Sequence, residues 1–115
     1  MKSPKNLLHR AQRCHDEGRF VAAADFLLEA FRQDPENHQI ARELGKVLRA
    51  VGDLEGAVAY LKRAWQHAPT DPITVSELIL SLHEQDRPGE AVNVMLRSLE
   101  AGLDDTGFAT TLLRG

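Results

Sequence analysis

Residues of the helix-capping type recur at a fixed interval in this chain, and that interval limits its fold more than any other feature: Ser3, Asn37, Asp71 and Asp105 stand 34 residues apart. Each has a side-chain oxygen able to accept from the free N–H groups at the start of a helix. Proline follows two of them, as Pro4 and Pro72, at the first helical position, where its missing N–H does no harm. The same shift aligns Gly18 with Gly52 and, in the third copy, with Asp86. It also aligns Ala23 with Ala57 and Ala91, Leu27 with Leu61 and Met95, and Pro35 with Pro69, opposite Leu103 in the third copy. A chain that restarts a helix at this spacing builds one small unit several times and must stack the copies to bury their apolar faces.

The unit is clearest over residues 37–69. Ile40, Ala41, Leu44, Val47, Leu48 and Val51 recur at helical spacing and form one apolar stripe, which Gly52-Asp53 breaks. A second stripe, Leu54, Ala57, Val58, Leu61, Ala64 and Trp65, stops at Ala68-Pro69, since proline cannot continue a helix interior. Two stripes and a break make a helical hairpin. Small residues mark where the two axes approach: Ala41 and Gly45 on the first helix, Ala57 and Ala64 on the second. Gly52 is expected in the left-handed backbone region, with Asp86 the tolerated replacement.

The first hairpin turns at Asp16-Glu17-Gly18. Its second helix offers Phe20, Ala23, Ala24, Leu27, Leu28, Ala30 and Phe31, a face wide enough for neighbours on two sides. The third turns over residues 85–89, with Pro88 early in the second helix and a core set of Val75, Leu78, Ile79, Leu82, Ala91, Val92, Met95 and Leu99. Ser98 replaces an alanine there, and its hydroxyl is expected to bond back to a carbonyl one turn earlier. Asp105 is expected to cap a last short helix with Phe108, Ala109, Leu112 and Leu113 on one side, a lid over the third hairpin, and Thr110 and Thr111 off that stripe.

This period and pattern resemble the tetratricopeptide repeat (TPR), whose signature spacing is matched by Ala41, Leu44, Gly45, Leu48, Ala57, Leu61 and Pro69. The middle copy is the most faithful, although Ala41, Leu48 and Leu61 stand where the family favours large aromatics. The first copy has Arg10 and Cys14 at positions usually apolar or aromatic, and the third has Ile79 in place of Gly45. The resemblance covers nearly the whole chain and implies an all-α fold: an α-solenoid of three TPR hairpins (about 4–36, 38–70 and 72–103) plus a short C-terminal capping helix (about 106–114), forming one domain over 1–115. It also implies a docking platform for another protein.

Length and charge agree with one stacked domain: 115 residues can bury a core once the hairpins pack. The net charge of −3 is uneven, at +1 over residues 1–35, +1 over 36–70 and −5 over 71–115. No uniform basic field exists for nucleic acid, and one Trp, one Tyr and four Phe give little surface for stacking bases. No apolar run precedes the first amphipathic helix, so no signal peptide is expected, and no segment approaches the length of a membrane span. Cys14 is the only cysteine, which excludes an internal disulfide and suits a reducing, cytoplasmic setting. Its spacing from Leu7 and Ala11 puts it on the buried stripe, as core filler rather than a reactive thiol.

Catalytic constellations are missing. The histidines at 9, 15, 38, 67 and 83 make no i, i+4 pair with one another or with Cys14, so zinc spacing is absent and no metal or other cofactor is expected. There is no phosphate-cradling glycine loop. His15 and His83 occupy equivalent places in two hairpins and are expected to face the same groove as solvated residues. Asp16-Glu17 and Asp104-Asp105 sit at turns and caps, where carboxylates favour helix N-termini.

What remains is the groove. The resemblance implies that the first helices of successive repeats line a concave side, presenting Lys5, Leu8, Gln12, His15 and Asp16, then Gln39, Arg42, Lys46 and Arg49, then Ile73, Ser76, Glu77, Leu80 and Glu84. Arg42, Lys46 and Arg49 fall at i, i+4 and i+7, so three cations share one stripe beside Leu8, Ile73 and Leu80. Two readings are open: a solvated charge row neutralised by Glu77, Glu84 and Asp16 as surface ion pairs, or a binding row for a segment with acidic and apolar side chains. The second gives a partner-binding set of Leu8, Gln12, Gln39, Arg42, Lys46, Arg49, Ile73 and Leu80. Chaperone-docking members of the family hold a C-terminal carboxylate with lysines, asparagines and an arginine. Here Leu8, Gln12, Glu43, Ile73 and Glu77 stand in those places, and the two glutamates would repel it. The alternative to peptide binding is self-association through the C-terminal end, because the last predicted helix has no second helix to pack with.

Overall fold

Six helices follow one another at the spacing of the caps: α1 (Pro4–Asp16), α2 (Phe20–Gln33), α3 (His38–Ala50), α4 (Leu54–His67), α5 (Pro72–Glu84) and α6 (Pro88–Glu100). The structure, a computed structural model, describes residues 3–104. The expected helix over 106–114 and its cap Asp105 lie outside the described residues. Ser3 Oγ accepts from the Asn6 N–H, Asn37 Oδ1 from those of Gln39 and Ile40, and Asp71 Oδ1 from that of Ile73. These bonds start α1, α3 and α5 on the predicted period. A fourth cap lies off it: Asp53 Oδ1 accepts from the Gly56 N–H and starts α4.

Helices α1 and α2, α3 and α4, and α5 and α6 pack as hairpins, and α2 on α3 and α4 on α5 join each hairpin to the next. The result is an all-α stack measuring 41 × 24 × 22 Å. Its hairpin turns use the left-handed backbone, at φ 89° for Gly52 and φ 58° for Asp86. Aspartate is among the few residues with a Cβ that tolerate this region, which is why it can replace glycine in the third copy.

The middle hairpin is the tightest. A Cβ added to Gly45 would stand 2.5 Å from Leu61 Cγ and 3.3 Å from the Ala57 carbonyl oxygen, so only glycine lets α3 come this close to α4. Ala41, Ala57 and Ala64 are buried as the spacing predicts. One core cluster is centred on Leu7, Leu27, Ile40 and Leu44, another on Leu61, Val75, Leu78 and Leu82, and Leu48 packs against both. Cys14 is a buried free thiol on the first of them.

Four positions differ from the sequence reading. Val51 and Val92, expected in the core, are 44% and 50% exposed. Val51 closes α3 at the turn, beyond the last residue the stripe can bury. Val92 corresponds to Val58, which α5 helps to cover, whereas Val92 lies on the outermost described helix. Ser76, expected on the groove, is buried, and its hydroxyl donates to the Ile73 carbonyl at 3.1 Å. Ser98 accepts a 2.9 Å hydrogen bond from the Trp65 indole N–H, so the serine that replaces alanine ties α6 to the preceding hairpin rather than to its own turn.

Filling the Gly45 gap should therefore overpack the hairpin. Gly45→Ala is expected to lower stability by about 1–2 kcal/mol although alanine is the better helix former, and Ala57→Leu by about 1–3 kcal/mol. Urea denaturation checks both, and wild-type midpoints would mean that α3 and α4 do not meet at this crossing.

Candidate functional site

The odd-numbered helices share one face, and three adjoining depressions lie along it. The first, about 530 Å³, is lined by residues at the N-terminal ends of α1 and α3, among them Lys5, Leu8, Gln39 and Ile40. A narrow crevice follows, with Leu8, Ala11, Gln12 and His15 of α1 opposite Glu43, Lys46 and Val47 of α3. The third depression, about 360 Å³, lies among His15, Lys46, Arg49, Ala50, Glu77 and Glu84. Leu8 is common to the first two, and His15 and Lys46 to the last two, so the three adjoin one another. Leu8, Gln12, Gln39, Lys46 and Arg49 are thus brought together. Arg42, Ile73 and Leu80 line none of these three depressions: Ile73 is 38% exposed at the start of α5, and Leu80 is half-buried.

The cationic stripe is not left to solvent. Arg42 Nη1 donates to Asp71 Oδ2 at 2.9 Å, and its Nε lies 3.4 Å from Glu43 Oε2, the same oxygen that Lys46 Nζ meets at 3.4 Å. Arg49 reaches across to α5: Nη1 donates to Glu77 Oε2 at 3.1 Å, and Nε and Nη2 both donate to Glu84 Oε1, at 3.0 and 2.7 Å. Glu77 and Glu84 are the partners foreseen for a neutralised row. Asp16 is not among them: the side chain beside it is His15, whose Nδ1 lies 3.8 Å from its Oδ1. Asp71 and Glu43, which complete the network, were missed. Asp71 was read only as a cap, and nothing in a 29-residue separation points to Arg42; Glu84, one repeat and one residue beyond Arg49, was legible from the period.

Burial and pairing oppose each other in this network. Desolvation disfavours the Asp71 carboxylate, but the Thr74 hydroxyl, Arg42 and the Ile73 N–H outweigh it and hold its pKa below the usual aspartate range. Desolvation also disfavours the Arg49 guanidinium, and hydrogen bonds and charge from Glu84 and Glu77 outweigh it, raising its pKa. His83 lines none of the three depressions; it borders another, of about 270 Å³, with Ile79, Pro88, Ala91, Val92 and Met95. Among the described residues no cluster of three His, Cys, Asp or Glu side chains could hold a metal, and no helix is long and apolar enough to cross a membrane.

The network predicts a stability effect that a solvated row would not have. Arg49→Ala should cost about 1 kcal/mol, since it leaves Glu77 and Glu84 facing each other unpaired. The pKa of Asp71 is depressed on folding, so its contribution is full above the unfolded-state value of about 3.8 and is lost as pH falls through the lower folded-state value. Asp71→Asn should therefore reduce stability near neutrality and flatten its decline below about pH 4. Denaturant midpoints from pH 2 to 7 test the sign, and parallel curves for variant and wild type would refute it.

Comparison with known proteins comes to the same architecture. A tetratricopeptide-repeat family model matches residues 15–72, just over half of the chain. No curated protein sequence matches it. Among solved structures, MamA AMB-1 superposes with a TM-score of 0.77 at 18% identity over 91% of this chain and 58% of that one. MamA MSR-1 gives 0.75 at 17% identity over 85% and 56%. The Sgt2 TPR domain from Aspergillus fumigatus gives 0.74 at 19% identity over 96% and 78%. The chain spans a little under three fifths of the MamA chains, and at these identities the likeness concerns the fold. Domains of this kind are generally non-catalytic protein-interaction modules. With its period, hairpins and left-handed turns, the chain belongs to the tetratricopeptide-repeat family.

Proposed function

We propose that the chain is a non-catalytic protein-interaction module that holds a peptide or helix with acidic and apolar side chains along the face of α1, α3 and α5. The succession of depressions along that face carries the reading: a segment laid across them meets Gln39 and Leu8, then Gln12, then Lys46 and Arg49. Leu8, half-buried, gives it an apolar hold, and Ile73 and Leu80 border it on α5. Lys46 has one carboxylate at 3.4 Å and donors to spare, which makes it the most available cation of the stripe. Arg42 and Arg49 add charge while tied to α5.

A fluorescein-labelled peptide of alternating Glu and Leu is a suitable probe, with a Gln and Leu peptide as control. Anisotropy should show tighter binding of the acidic peptide, weakened about fivefold by Lys46→Ala in low salt. That loss should shrink as salt shortens the Debye length below about 10 Å, whereas loss through Leu8→Ser should not. Binding indifferent to both substitutions would place the partner on another surface.

Self-association through the C-terminal end is the second reading, favoured by one observation: Val92 and Leu96 are 50% and 52% exposed on α6, whereas Val58, one repeat earlier, is 4% exposed. Light scattering over a hundredfold range of concentration should reveal a growing mass under this reading; a constant monomer mass rules it out.

A further inference from the structure

Glu84 sits where a partner's carboxylate would have to go. Its Oε1 takes two of the three hydrogen bonds that Arg49 makes to α5, at 3.0 and 2.7 Å, and occupies the edge of the guanidinium that carboxylates prefer. Glu77 holds the remaining Nη1 at 3.1 Å. The two acids differ in depth: the Glu84 side chain is 43% exposed and that of Glu77 19%. An incoming acid can thus replace Glu84 without dismantling the deeper pair. Both line the depression that also contains Lys46 and Arg49, so a displaced Glu84 leaves these two cations facing the same space.

The repeat provides an internal comparison. Ala50 is the equivalent of Glu84 on α3 and lines the same depression, so this position of a first helix accepts a methyl group without loss of the hairpin. Packing therefore does not require a glutamate at position 84. We infer that Glu84 is an internal competitor for the Arg49 guanidinium, setting a threshold that favours strongly acidic segments over weakly acidic ones. The inference rests on the proposed binding face. It adds that part of each partner's charge attraction is used to displace Glu84, which is then free to meet a cation on the partner.

Glu84→Ala tests this with two probes. In ¹⁵N-labelled protein at constant ionic strength, titrated acetate should shift the Arg49 Nε–H resonance of the variant and leave that of the wild type in place. The Glu and Leu peptide should bind the variant about twofold to fivefold more tightly, the range expected for removing one partly exposed competing ion pair. Glu77→Gln, at the deeper pair, should not reproduce that gain. Equal acetate shifts in variant and wild type, no shift in the variant, or peptide affinity unchanged by Glu84→Ala would each overturn the competitor role while leaving the binding face standing. An acetate shift confined to the variant, with no peptide bound by either protein, would instead sink the binding face and the competitor role toward partners with it.

Discussion

The close approach of α3 to α4 at Gly45 is the contact on which the rest of the stack depends. Backbone and side chain meet there with no room for a Cβ, which brings Leu61, Ala57 and Ala64 of α4 against α3 and fixes the middle hairpin as a rigid step. Leu48, on the same helix as Gly45, packs into the cluster on either side and so carries the core from the first hairpin to the third. The copies around it are looser in their chemistry. The third has Ile79, partly buried, in the place of Gly45, and it buries Ser81, whose hydroxyl finds no hydrogen-bond partner among the described residues, where the middle copy has Val47. Such a solenoid gains stability through interfaces between neighbours, so one well-formed hairpin can support two less regular ones.

Electrostatics then adds what apolar packing between α3 and α5 does not supply. Only a few residues of these helices approach closely, and the space between their outer edges is spanned by long side chains: Arg42 to Asp71, Arg49 to Glu77 and Glu84. Arginine suits this role because its planar fork can serve two acids at once. Of these, Arg49, Glu77 and Glu84 also line the third depression of the proposed binding face. The charges that tie α3 to α5 are therefore also charges of the proposed face, which carries both signs there rather than a bare cationic strip.

Much of the fold was legible in the sequence because its determinants are local: capping oxygens at Ser3, Asn37 and Asp71, breaks at Gly18, Gly52 and Asp86, and apolar residues at helical spacing. Exposure at the edges was not. Val51 and Val92 satisfy the periodicity yet remain open, since a stripe records which side of a helix is apolar and not how far along it a neighbour extends. The face was legible in part: the helices that form it, and Leu8, Gln12, Gln39, Lys46 and Arg49 along its floor, follow from the repeat. The ties of Arg42 and Arg49 were harder to read, because a charge at a given register has several possible partners, and rotamer reach chooses among them. Asp71 had an evident task as a helix cap, which concealed its second task as the acceptor for Arg42.

Trp65 gives the stack an optical property. It is the chain's one tryptophan, located on α4, and its indole N–H is bonded to the buried Ser98 hydroxyl of α6. The emission of an indole depends on whether its ring and N–H meet protein or water. Intrinsic fluorescence of this protein therefore views the seam between the second and third hairpins and has no direct view of the first. If the stack frays from one end, a fluorescence melt and a far-ultraviolet circular dichroism melt will separate, and the order in which they fall will name the end that opened.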